Sequence, residues 1–209
     1  MLDRSYATGC KFDKNRSVDI TSKEEEIASL YIQYYGQPYA IDVQVERDGV
    51  WTTVLSAGQT YCEEWIELPQ PAKKVRLLNT SGTTMCLAEL YAYAAGDRPD
   101  SVHIWTVAEK ADIMLLSAHP DDEILWFAGT IPTYAGERGL TVQLVYATCS
   151  TAERRLELLD GLWTCGCHTY PIFFDLRDRT GKKLESIYSL WGRENFYSLV
   201  TAAIRRCRP

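Results

Sequence analysis

The chain has no apolar run approaching the 18 or so residues of a membrane-spanning helix. It also lacks a basic excess. Lys and Arg number 22 against 28 Asp and Glu, a formal charge of −6, so there is no electrostatic footprint for nucleic acid. The opening residues MLDRSYATGCKF contain no apolar stretch, and no signal peptide is expected in them. The seven cysteines are odd in number and too sparse for a dense disulfide framework. Cys165 and Cys167 form C-x-C without a second pair at zinc-ribbon spacing, and read as small hydrophobes at a helix end. There is no G-x-S-x-G elbow, no P-loop and no G-x-G-x-x-G after a strand. What is present is globular: 46% hydrophobic and 24% charged residues. The 13 tyrosines and 6 tryptophans suit carbohydrate contacts and buried cores equally.

The periodicity divides the chain in two. Up to about residue 100 it is two. Ile41, Val43 and Val45 alternate with polar residues, and Arg47-Asp48-Gly49 reads as a hairpin turn before Trp51 and Val54. Trp65–Leu68, closed by Pro69 and Pro71, Val75–Leu78 and Met85–Tyr93 are further strands, predicting a β-sandwich over 1–100. Residues 101–110 read as a linker. From 111 to 209 the rhythm becomes strand, helix, strand, helix, strand, helix. The strands are Asp112–Ala118, Thr141–Thr148 and Pro171–Phe174. Apolar residues from Ile124 to Ala135 recur at helical spacing, with Pro132 expected to kink or split the segment. Leu156, Leu159 and Trp163 mark a second helix, and Phe196 to Ala203 a third, ending on Arg205 and Arg206. The predicted class is α/β: a sandwich followed by a parallel α/β sheet.

Ala118-His119-Pro120-Asp121-Asp122-Glu123 stands where the first buried strand ends, the end at which open α/β sheets place their sites. His119 and Asp122 are three apart, so a helical turn brings an imidazole and a carboxylate to one side, as a zinc or similar divalent site needs. Asp121 lies on a neighbouring direction and is free to accept a proton from water. Acids at a helix start also serve as caps and dipole partners, and Glu123 reads that way.

The AHPDDE string after an apolar strand resembles the signature of the zinc-dependent de-N-acetylases of the PIG-L or LmbE-like family. The likeness continues through Arg154-Arg155-Leu156-Glu157 and through Phe173 to Asp178. The resemblance implies a Rossmann-like domain in which His119 and Asp122 bind Zn2+, Asp121 is the general base, and Arg154 and Asp178 sit near an N-acetylglucosamine-type sugar or glycoconjugate. It also implies a third zinc ligand, a later His beyond a fourth strand. His103 and His168 are poorly placed for that role and read as ordinary loop histidines. The α/β domain is therefore expected to be incomplete at its C-terminus. In the front half DGVW, KKVRLLNTSG and LAELYAYA resemble a discoidin-type jelly roll with a shortened start. That implies a module binding a glycan or surface ligand. The alternative function is a non-catalytic carbohydrate-binding protein. A surface-binding module joined to a sugar deacetylase implies a secreted or cell-surface bacterial protein.

Overall fold

The computed structural model describes residues 8–179 and 183–209. Most of the segment read for a leader peptide lies outside them. The chain separates into two compact units, one ending at Ile104 and the other beginning at Trp105.

The first unit holds eight strands among its described residues: β1 (Cys10–Phe12), β2 (Ser17–Thr21), β3 (Ile27–Tyr34), β4 (Ile41–Arg47), β5 (Val50–Ala57), β6 (Glu63–Ala72), β7 (Lys74–Asn79) and β8 (Met85–Tyr93). They form two four-stranded sheets in the orders β1-β8-β3-β6 and β2-β7-β4-β5, with every pairing antiparallel. Leu30, Ile32, Met85 and Leu87 of one sheet share a core with Ile41, Val43, Val45, Val75 and Leu77 of the other, which makes the pair a sandwich. The β4–β5 hairpin turns on Asp48 at φ 53° and Gly49 at φ 81°, the doubly positive pair that a two-residue turn of matching twist requires.

Three strands that the sequence reading passed over, β1, β2 and β3, precede β4. One expectation is corrected here: Pro69 and Pro71 do not close a strand. β6 continues to Ala72, and its register with β3 shifts between Ser29↔Glu67 and Ile27↔Ala72. β6 lies at the sheet edge, where a missing N–H costs no ladder bond on the open side.

In the second unit β9 (Ile113–Ser117), β10 (Val142–Tyr146) and β11 (Ile172–Phe173) form a parallel sheet in the order β11-β10-β9. The helices are α1 (Asp122–Leu125), α2 (Ala152–Thr164), α3 (Leu184–Trp191) and α4 (Arg193–Cys207). The first expected helix shrinks to the single turn of α1, and Pro132 opens a separate wide turn over Pro132–Glu137. The break falls at Trp126, before Pro132, which stands at the first position of the second piece, where a missing N–H costs no bond. Gly136 and Gly166 let this wide turn touch the end of α2: a Cβ on Gly166 would stand 2.5 Å from the Gly136 Cα. α3 is an addition to the expected order. Its Leu184, Ile187, Tyr188 and Trp191 stand at i, i+3, i+4 and i+7, a helical signal the sequence carried. No helix of the described residues is long and apolar enough to cross a membrane.

Candidate functional site

The AHPDDE loop leaves the carboxyl end of β9 and is tied to the carboxyl end of β10. Thr148 donates to the Ala118 carbonyl twice, through its N–H at 2.9 Å and its hydroxyl at 2.9 Å. The chain then bends at Asp121, whose φ of 106° is far from any well favoured by a side-chain-bearing residue. Ile124 and Leu125 donate their N–H groups to the Asp121 carbonyl at 3.0 and 2.8 Å, starting α1.

Around this bend all five residues singled out from the sequence come together. The His119 N–H donates to Asp122 Oδ2 at 2.9 Å, and His119 Nδ1 lies 3.5 Å from the same oxygen. On the opposite edge of the ring, His119 Nε2 meets Asp178 Oδ1 at 3.2 Å. The imidazole is thus bracketed by two carboxylates. Arg154, in the first turn of α2, donates to both the Pro120 carbonyl, at 3.1 Å, and the Asp121 carboxylate. It is aimed there by its helix cap: Thr151 Oγ1 accepts the Arg154 N–H at 3.2 Å. His119, Asp121, Arg154 and Asp178 line one cleft of about 600 Å³, closed on its far side by Ile187 and Trp191 of α3. The Trp191 indole donates to the Arg177 carbonyl at 2.9 Å, pinning the backbone beside Asp178.

Two acids next to this cluster behave differently from it. Glu123 is 1% exposed, and burial pushes its carboxyl above the usual range. It is no exposed cap: its Oε2 accepts the Asp121 N–H at 3.1 Å. Arg155 binds Asp175 and covers the Phe173 ring at 4.1 Å, bracing the strand that leads to Asp178.

The donor chemistry of His119 and Asp122 suits a divalent cation. With its proton on Nε2, facing Asp178, the His119 ring turns the Nδ1 lone pair toward Asp122 Oδ2. Two acceptors 3.5 Å apart match the edge of about 3.4 Å between two ligands of a tetrahedral zinc ion. A carboxylate on the second nitrogen is the usual support for a metal-binding histidine. Among the described residues no third His, Cys or carboxylate joins His119 and Asp122 with ligand atoms mutually within 4.8 Å.

The other two histidines lie elsewhere. His168 is exposed and stacks on Trp163 at 4.0 Å, at the amino end of the sheet, as its position before β11 implied. His103 is not a solvated loop residue. It is 8% exposed, and its Nδ1 meets Glu63 Oε1 at 2.8 Å. Glu63 also accepts from Tyr31 at 2.8 Å and Gln33 at 2.9 Å. Burial raises the Glu63 carboxyl, but the bonds from His103, Gln33 and Tyr31 outweigh it and hold the group below the usual range. Residue type alone gave no sign of this pair, because the partners are 40 residues apart. Cys167 is buried as read from the sequence, and burial pushes its thiol to about 11.

No family model matches the chain. One curated protein, 1D-myo-inositol 2-acetamido-2-deoxy-alpha-D-glucopyranoside deacetylase 1 of Saccharopolyspora erythraea, is 44% identical over 57 residues. The match takes in 27% of this chain and 18% of that protein, so the chain spans less than a fifth of the relative's length. Among solved structures, the family 32 CBM of C. perfringens NanJ in complex with galactose is 15% identical at a TM-score of 0.37, covering 44% of this chain and 80% of that one. The chitosan-binding module 2 of the Paenibacillus sp. IK-5 chitosanase/glucanase is 22% identical at 0.38, covering 44% and 82%. At these scores nothing carries over from either structure to this chain.

Proposed function

We propose that the second unit serves a metal-dependent amide hydrolase that removes the acetyl group from an N-acetylglucosamine-type sugar or glycoconjugate. The observation that carries this reading is the cleft itself. A histidine bracketed by two carboxylates stands beside an arginine-held aspartate at the carboxyl ends of two parallel strands. The 57-residue likeness to a sugar deacetylase supports the same reading. We take the parallel sheet as part of a Rossmann-like architecture, and residues 111–209 as its domain.

His119 and Asp122 would hold the cation in this reading, and a cation bound there would supply Lewis acidity toward an acetyl carbonyl and water. Asp121 takes the water proton and returns it to the leaving amine. Arg154 keeps the Asp121 carboxylate facing the cleft. Asp178 acts one step back from the sugar-binding place that the family resemblance assigns it: its bond to Nε2 selects the ring face and tautomer of His119.

The test is acetate release by the full chain from N-acetylglucosaminides, with and without chelator. Release that stops on chelation and in Asp121→Asn supports the reading. Release indifferent to both discards it. A second reading, a carbohydrate-binding protein without catalysis, is favoured by the two-donor set among the described residues. In that case residues 1–100, read as a discoidin-like jelly roll, bind glycan while acetate release is absent at every metal concentration. A secreted or cell-surface location goes with either reading and is checked by fractionating cells.

A further inference from the structure

Asp121 carries the bend of the loop on a non-glycine backbone at φ 106° and ψ −27°. Such a conformation persists only where its surroundings impose it. The carbonyl side is held by α1, through the N–H groups of Ile124 and Leu125, and the side chain by Arg154. The amide side is held by one group, the Glu123 carboxyl, at 3.1 Å.

Glu123 is an unusual choice for that task. At 1% exposure its carboxyl has lost its water, whereas a favourable charge at a helix start needs no burial. The ground beneath it is polar as well. The Tyr146 ring is fully buried, and its hydroxyl lies close enough to the Glu123 carboxyl for the two groups to interact. Ser117, the register partner of Tyr146, is 4% exposed, and its hydroxyl has no hydrogen-bond partner among the described residues. A seam of polar groups therefore runs down from Glu123 between the ends of β9 and β10. Burying three polar side chains there is costly unless the acid at its top is needed.

We propose that Glu123 is the positioning residue of the site: its buried carboxyl grips the Asp121 amide and so dictates the direction in which the Asp121 carboxylate enters the cleft. The grip is a matter of geometry alone. Its catalytic consequence rests on the reading of Asp121 as the base.

The experiment separates the two. In the 15N-labelled full chain, exchange of the Asp121 amide is followed by NMR, with the Leu144 amide of β10 as the control for folding. Glu123→Gln keeps an acceptor oxygen; Glu123→Leu and the unbranched Glu123→Met each remove it. The Asp121 amide is expected to exchange slowly in the unaltered chain and in Glu123→Gln. In whichever apolar variant keeps Leu144 protected, it is expected to exchange at least about tenfold faster. In the same proteins kcat for acetate release is expected to fall about tenfold or more in the apolar variants, with KM within about threefold, while Glu123→Gln keeps most of it. Fast exchange in the unaltered chain, unchanged exchange in the apolar variants, or Glu123→Gln behaving like Glu123→Leu overturns the proposal. The expected exchange pattern without acetate release by the unaltered chain establishes the grip and sinks the hydrolase reading.

Discussion

Two imidazole–carboxylate pairs in this protein set a structural use of the same chemistry against a reactive one. In the sandwich, His103 and Glu63 are both buried, and Glu63 has further bonds from Tyr31 and Gln33. In the second unit His119, which lines the cleft, has 42% of its side chain exposed, and Asp122 beside it has 21%. Asp122 accepts from the His119 N–H and from the Trp126 indole. A pair sealed from water holds its fold together. One that solvent reaches is available to a ligand. The residue types are the same; solvent access separates the roles.

The sharpest way to break this contrast is to remove both imidazoles in turn. His119→Ala is expected to abolish zinc uptake, read as metal content after dialysis, and acetate release with it, while the unfolding midpoint in urea stays put. A variant that still retains stoichiometric zinc would end the comparison. Next in size, Glu63→Leu strands three buried donors and is expected to lower unfolding free energy by about 3–5 kcal/mol with zinc uptake unchanged. Denaturation curves check this, and a change below about 1 kcal/mol would make the pair incidental. Asp178→Asn keeps the shape but loses the charge on His119 Nε2, and is expected to weaken zinc affinity about tenfold by competition with a chromophoric chelator.

The smallest effect is one of pH. The folded Glu63 carboxyl titrates below its unfolded value, so its contribution to stability is complete above the ordinary carboxylate range. The contribution is lost as pH falls through the folded value. Urea midpoints of the unaltered chain should therefore drop below about pH 4.5, and part of that drop should vanish in Glu63→Gln. An identical pH slope in both proteins would remove Glu63 from the acid-sensitive groups.

How far the sequence reached differs between the units. The β4–β5 hairpin was legible because Asp48-Gly49 is a local signal, set by backbone sterics within four residues. β3 was not. As the central strand between β8 and β6 it is buried on both faces, so IASLYIQY shows no alternation to read. The three parallel strands were found from their apolar runs. The helix after β9 was overread: of its helically spaced residues Ile131 and Ala135 are buried, but Ile124 and Phe127 are 39% and 42% exposed, so the first half of that pattern faces solvent rather than a core. α3 was passed over despite its spacing, and with it the far wall of the cleft.

Local order in the chain was enough to announce an imidazole and three acids at the end of a buried strand, since their proximity follows from covalent spacing. Which atoms face each other was decided only by folding. Asp178 reaches His119 across 59 residues and Arg154 reaches Asp121 across 33, because parallel strands bring the ends of β9, β10 and β11 to one edge. The burial of Glu123 and of the His103–Glu63 pair was likewise settled by packing, since exclusion of water depends on neighbours that no short stretch of sequence contains.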